Sequence, residues 1–211
     1  MSGTMSNKIR VLIADDHAIV SQGLTLLLEC KPDITVVGQA CNGKEAIALF
    51  RQHQPDVTLM DLRMPEMGGV EAITVLCSEF PDPRIIVLTT YNGDEDIYRG
   101  LRAGAKGYLL KDSKPDELMS AIYAVHSGKQ YIPSEVAVKL IERMSNPELS
   151  DRELEVLRHM AIGMSNQEIG VDLNITESTV KFHVNRILSK LGVSDRTQAV
   201  IVALKRGLAN L

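Results

Sequence analysis

Residues 57–69 read VTLMDLRMPEMGG: a short, nearly continuous apolar run, Val57 to Met60, stops on a carboxylate, Asp61. A strand apolar on both faces belongs in a parallel sheet covered on both sides. Runs of the same kind recur at Ile9 to Ala14, Ile34 to Val37, Ile85 to Leu88 and Gly107 to Leu110. Between them lie residues at helical spacing: Val20, Leu24, Leu27 and Leu28, then Ala46, Ile47 and Phe50, then Leu118, Ala121, Ile122 and Val125. The rhythm predicts five βα units forming an α/β domain with a doubly wound, five-stranded parallel sheet.

In such a sheet the ligand site lies at the carboxyl ends of the strands, where the strand order reverses. Asp15 and Asp16 follow the first strand, Asp61 closes the third, Thr89 closes the fourth and Lys111 follows the fifth. Three carboxylates brought together would repel one another, so the cluster makes sense with a bound cation. A hard, oxygen-rich site next to a phosphate suggests Mg²⁺. Lys111 then supplies a fixed positive charge, and Thr89 a hydroxyl donor, for the oxygens of a phosphoryl group on Asp61. A single aspartate after a strand reads better as a cap or turn residue. Five such positions together outweigh that reading.

The segments IADDH (13–17), LMDLRMPEMGG (59–69), VLTT (87–90) and GAKGYLLKD (104–112), standing in this order, resemble the receiver domain of response regulators. The resemblance spans roughly residues 8–127. It implies that Asp61 accepts a phosphoryl group from a partner histidine kinase. Asp15, Asp16, Asp61 and the backbone carbonyl of Arg63 would hold Mg²⁺, and Thr89 and Tyr108 would form a switch pair beside Lys111. Two positions depart from or vary within that pattern. Asp112 follows Lys111 where many receivers carry a cis-proline, so a trans peptide is expected, since a cis bond here would cost about 2.5–4 kcal/mol. Arg63 and Tyr91 stand where the family varies, on the access route of the hydrolytic water. Arg63 also occupies the place where an aspartyl-phosphate phosphatase would want its acid/base aspartate, which argues against turnover of outside substrates.

After Gly128 the βα rhythm stops. Residues 128–147 read as a linker with a short helix, Ser134 to Met144, and residues 148–211 as four further helices. Ser150 to Glu153 and Ser165 to Glu168 each match a capping box, with Thr176 and Ser194 as further N-cap candidates. On the third of these helices, Thr176 to Leu191, the residues Val180, Val184, Ile187, Leu188 and Leu191 fall on one core stripe. Ser178, Phe182, Asn185 and Ser189 lie opposite, with Lys181 and Arg186 on the flanks. An outward phenylalanine among polar and basic residues suits a helix in the major groove, where an aromatic meets a thymine methyl and asparagine pairs with adenine. Packing of Phe182 on a neighbouring helix is the alternative.

The stretches LSDRELEVLRHMAIGMSNQEIG (149–170) and ITESTVKFHVNRILSKLGVSDRTQAV (175–200) resemble the DNA-binding domain of NarL, LuxR and GerE-type regulators. The resemblance implies base contacts from Lys181, Phe182 and Asn185; Ser178, Thr179, His183 and Arg186 are candidates for phosphate contacts. The last helix, Asp195 to Arg206, is apolar on every side from Ala199 to Leu204. This predicts a second packing face, with Val200, Ile201 and Leu204 joining two copies of the chain on double-stranded promoter DNA; the alternative is that the surplus face rests on the receiver or stays partly exposed. RNA polymerase is then a partner to expect.

Composition agrees with a globular protein. The 211 residues are 45% hydrophobic and 24% charged, with a net charge of −4. The balance is uneven: the eight lysines and arginines of residues 148–211 match eight acidic residues, whereas residues 1–147 are acidic overall. Residues 176–206 carry six cations against Glu177 and Asp195, a locally basic segment. Cys30, Cys41 and Cys77, odd in number and without C-x-x-C spacing, read as reduced thiols. No run is long and apolar enough for a membrane span, and the first residues lack a signal-peptide core, so a cytoplasmic location is expected. The residues ahead of Met5 read as an expression scar or alternative start.

Overall fold

The computed structural model describes residues 8–90, 94–145, 149–206 and 208–209. They fall into two compact units, Met1–Leu140 and Ile141–Leu211. No helix among the described residues is long and apolar enough to cross a membrane.

The first unit alternates strand and helix: β1 (Ile9–Ala14), α1 (Ala18–Glu29), β2 (Ile34–Ala40), α2 (Gly43–His53), β3 (Val57–Met60), α3 (Gly69–Glu79), β4 (Ile85–Thr89), α4 (Asp94–Arg102), β5 (Gly107–Leu110) and α5 (Pro115–His126). The five strands form one parallel sheet in the order β2-β1-β3-β4-β5. Every residue of β3 and β4 is buried, as strands covered on both faces require. The alternation of side chains along β1 splits the core into two apolar layers. Leu12 and Ala14 join Phe50, Ile73, Leu76 and Tyr108 on one face, while Val11 and Ile13 join Leu28, Leu118, Ile122 and Val125 on the other. β2 runs to Ala40, three residues beyond the expected Val37, because its pairing with β1 continues through Gly38 and Gln39, which interrupt the apolar run, to Ala14 opposite Ala40.

The chain leaves β1 towards one edge and returns through β3 on the other side, so the carboxyl ends of β1 and β3 flank the crevice where a doubly wound sheet binds ligands. The edge of β5 is occupied. Tyr131 N–H donates to the Lys106 carbonyl at 3.0 Å, and Tyr108 N–H donates to the Tyr131 carbonyl at 3.0 Å. Helix α6 (Ser134–Ser145) follows, and its Val136 and Leu140 pack into the same apolar layer as Tyr108.

The second unit holds α7 (Asp151–Ala161), α8 (Asn166–Asp172), α9 (Glu177–Leu191) and α10 (Arg196–Lys205) around Val156, Leu157, Met160, Ile169, Val180, Ile187, Ala199 and Ala203. Both expected capping boxes form, Ser150 with Glu153 and Ser165 with Glu168, and Thr176 caps α9 through the Thr179 N–H. The fourth cap differs from expectation: Asp195, not Ser194, accepts the Gln198 N–H, at 2.8 Å. Its carboxylate is the stronger acceptor, and Ser194 instead donates its own N–H to the Gln198 side chain at 3.3 Å. Cys30, Cys41 and Cys77 are free thiols.

His159 joins α7 to α8. Its Nδ1 lies 2.7 Å from the Glu155 carbonyl and its Nε2 2.6 Å from the Asp172 carboxylate. Only the imidazolium can donate to both acceptors at once. The Glu155 carbonyl bond raises the His159 pKa, burial opposes it, and Asp172 adds to the rise. A raised folded value means that this stabilisation is complete below the unfolded pKa of about 6.5 and is lost as pH rises through the folded value. His159→Gln should therefore melt below the parent at pH values below the unfolded pKa of about 6.5, and the gap should narrow as pH rises above it. A gap independent of pH in paired thermal melts would contradict this assignment.

Candidate functional site

Parallel pairing of Ala14 with Met60 puts the residues that follow, Asp15 and Asp61, side by side. Asp61 N–H donates to the Ala14 carbonyl at 2.8 Å, and Asp15 N–H to the Ala40 carbonyl at 2.9 Å, so both backbones are fixed by the sheet. The two carboxylates are buried, whereas Asp16 is about one-third exposed. One ligand atom from each of Asp15, Asp16, His17 and Asp61 lies within 4.8 Å of the others. Such a set could hold a metal ion, and its oxygen donors suit a hard one.

Lys111 reaches into this cluster from the end of β5. Its Nζ hydrogen-bonds Asp61 Oδ2 at 2.7 Å and pairs with Asp15 Oδ2 at 2.7 Å. Burial works against the ammonium charge, but the hydrogen bonds and charges of Asp15 and Asp61 outweigh it and hold the pKa above the ordinary lysine value. Lys111 balances one of three negative charges, which leaves the pocket matched to a dication.

Thr89 is fully buried at the end of β4, and its carbonyl accepts the Lys111 N–H at 2.9 Å. Tyr108 pairs with Val87 in the adjoining strand and is also fully buried, its ring inside the apolar layer. Burial pushes the phenol pKa well up, and the nearby charges of Asp96 and Asp61 add to it. Arg63 N–H donates to Asp61 Oδ1 at 3.3 Å, which sets its peptide beside the acceptor, while its guanidinium binds Asp96 of α4 at 3.1 Å. The peptide after Lys111 is trans, as are the others among the described residues. Tyr91 lies outside the described residues.

Three participants escaped the sequence reading. His17 follows the aspartates directly, and its Nδ1 lies 3.2 Å from Asp15 and 2.9 Å from Asp16. Asp96 is one of several acidic residues near the start of α4, and nothing in its spacing marks it. Gly69 opens α3 against the backbone of Asp61: a β-carbon there would overlap the Asp61 carbonyl and crowd Leu62 Cα. The doubled glycine in MPEMGG was its only sign.

On α9, Ser178, Lys181, Phe182, Asn185 and Arg186 are exposed, Thr179 and His183 half-buried, and Val180, Ile187 and Leu191 face the core. The phase inferred from periodicity is thus the one adopted. Phe182 is 55% exposed, with the Arg186 guanidinium 5.5 Å from its ring centre and His183 edge-on at 5.7 Å. Lys181 pairs with Glu177 at 2.8 Å. On α10, Ala199 and Ala203 turn into the core while Ile201 stays 47% exposed, flanked by half-buried Val200 and Leu204.

A receiver-type acidic pocket and a helix-turn-helix unit with an exposed basic and aromatic face define a transcriptional response regulator. Comparison with known proteins agrees. Residues 11–123 match the response regulator receiver domain, and residues 147–203 match the bacterial regulatory proteins of the luxR family. The chain is 46% identical over 210 residues to the transcriptional regulatory protein LiaR of Bacillus subtilis, covering 96% of this chain and all of that one. It is 42% identical over 205 residues to the response regulator VraR of Staphylococcus aureus, covering 95% and 98%. Among solved structures it is similar to RcsB of Salmonella typhimurium, with a TM-score of 0.82 at 31% identity over 92% of this chain and 98% of that one. An RcsB–DNA complex gives 0.76 at 32% identity, over 95% and 99%. The chain belongs to the response regulators that join a receiver to a LuxR-family DNA-binding domain.

Gly69→Ala should cost about 1–3 kcal/mol or more, since the clash is with backbone that cannot move aside. It should also displace the Asp61 carbonyl. Denaturant unfolding that leaves stability unchanged would show that the α3 start can shift freely.

Proposed function

We propose that Asp61 is the phosphoacceptor of a two-component switch whose output is promoter binding by α9. The observation that carries this reading is the Lys111 ammonium held 2.7 Å from both buried carboxylates, Asp15 and Asp61, beside Asp16. The donors needed for a divalent ion and the cation needed for phosphoryl oxygens converge there on one oxygen nucleophile.

Mg²⁺ fits this donor set, with Asp15, Asp16, Asp61 and the Arg63 carbonyl as its protein ligands; when bound it supplies charge neutralisation at the transferring phosphoryl group. The remaining work belongs to the chain. An Asp61 carboxylate oxygen forms the new P–O bond as the P–N bond of a kinase phosphohistidine breaks, its electron pair returning to the imidazole. Lys111 stabilises the charge on the phosphoryl oxygens, and the Thr89 hydroxyl donates to them. With Thr89 drawn to the phosphate, Tyr108 has room to change position beside it, and β4 and β5 carry that change. Water later hydrolyses the acyl phosphate, so the receiver promotes its own phosphorylation and dephosphorylation and turns over no outside substrate.

At the output, Lys181, Phe182 and Asn185 read base edges in the major groove, and Ser178, Thr179, His183 and Arg186 hold backbone phosphates. Val200, Ile201 and Leu204 join two copies on the DNA. This is supported by the exposed Ile201 on an otherwise core-forming helix, and by the related RcsB, whose solved structures include two dimers bound to two parallel DNAs. The partners are a histidine kinase, promoter DNA and, at the promoter, RNA polymerase, all in the cytoplasm.

Asp61→Asn should abolish labelling of the full chain by a small phosphodonor and its effect on duplex binding; retained labelling would place the acceptor elsewhere. Phe182→Ala or Asn185→Ala should weaken binding to the preferred duplex by about 1–3 kcal/mol with little change in salt dependence. Lys181→Ala should add a relaxed preference at its base. Gel shifts across a salt series separate these effects, and unchanged affinity in all three variants would remove α9 as the reading helix.

A further inference from the structure

The second unit contains a buried charge cluster that capping alone does not explain. The Glu153 side chain is only 2% exposed. Its Oε2 accepts the Ser150 N–H at 2.7 Å, closing the capping box of α7, and the same oxygen binds Lys190 Nζ at 2.7 Å. Its Oε1 faces Arg186 Nε at 3.5 Å. Arg186 and Lys190 stand one turn apart on α9, so a single carboxylate of α7 grips two successive cations along one flank of that helix. The other capping box shows what a cap needs: Glu168 sits at an exposed site and has its pKa lowered by its bonds to Ser165. For Glu153, burial pushes the pKa up, and the Lys190 and Ser150 hydrogen bonds overcome it.

The contact continues outward. Arg186, tethered to Glu153 through Nε, lays its guanidinium over the Phe182 ring, 5.5 Å from its centre, and Phe182 is the large apolar side chain that α9 presents to solvent. The path Glu153, Arg186, Phe182 therefore leads from the packed interior to the proposed reading face. On the same helix Lys181 is offset by Glu177, so each of its three cations has a carboxylate partner. A guanidinium drawn to a carboxylate at one edge and facing an aromatic ring is biased towards that orientation, and a cation already paired gains less from an arbitrary phosphate.

We infer that Glu153 is a positioning residue for DNA specificity: it fixes Arg186 and Phe182 on the reading face and tempers the attraction of Arg186 and Lys190 for phosphates of any sequence. This rests on the reading that the outer face of α9 meets DNA.

The test uses the full chain and a duplex selected by the parent protein from a random-sequence pool, compared with a scrambled duplex across a salt series. Glu153→Gln removes the charge but keeps a side chain that capping boxes accept, so α7 retains its start. The variant should bind the scrambled duplex more tightly, with a salt slope steeper by about one unit. It should bind the selected duplex less tightly, so that the ratio of affinities falls about tenfold. Arg186→Lys keeps the charge without the planar stack and should lower the ratio without steepening the slope. An unchanged ratio and slope in Glu153→Gln would overturn the inference. So would a loss of helical circular dichroism in Glu153→Gln, which would make the residue structural. Failure of the parent itself to select any duplex would instead strike the reading of α9.

Discussion

The receiver is organised around mutual repulsion. Asp15 and Asp61 are buried side by side because their strands pair, and the sheet leaves neither room to retreat. Lys111 makes that arrangement tolerable in the folded chain, and it balances only part of the negative charge. The same excess makes the pocket a candidate site for a metal ion, and in the proposed function that ion and Lys111 together would offset the charge of a phosphoryl group. Stability and chemistry thus share one set of atoms, and the surrounding core, with β3 and β4 buried throughout, must be strong enough to hold them.

The helix-turn-helix unit meets a parallel problem with charge. If α9 reads DNA as proposed, it needs cations, yet those cations must not bind every duplex equally. The structure distributes carboxylates among them, Glu177 in solvent and Glu153 beneath, so that α9 is less basic in effect than its lysines and arginine suggest. His159 between α7 and α8 adds an ionic clip on another face of the same small core.

Most of this was legible in the amino-acid order. Apolar runs ending on aspartate, threonine and lysine marked the strands and the pocket, since a parallel sheet collects strand ends at one rim. The outward phase of Phe182 followed from the core stripe of Val180, Ile187 and Leu191. What escaped depends on distance through space. Glu153 looked like a cap and nothing more, because its cations lie 33 and 37 residues away. Asp96 meets Arg63 only after α4 has folded against the loop that follows β3. Gly69 owes its necessity to a backbone clash that composition cannot express. The cap at Asp195 rather than Ser194 was a choice between adjacent good acceptors, settled by which oxygen meets the Gln198 N–H.

The segment beyond α5 has one further consequence. Tyr131 exchanges backbone hydrogen bonds with Lys106 and Tyr108, so β5, which carries Tyr108 and leads into the pocket residue Lys111, is stitched to the start of the connecting chain. A shift of β5 by even a fraction of an ångström must either stretch those bonds or drag the connector with it. The first residues outside the five βα units are in this sense a gauge of β5. Under the proposed function, a change at Asp61 that moves β5 would reach the start of the connecting chain through these hydrogen bonds.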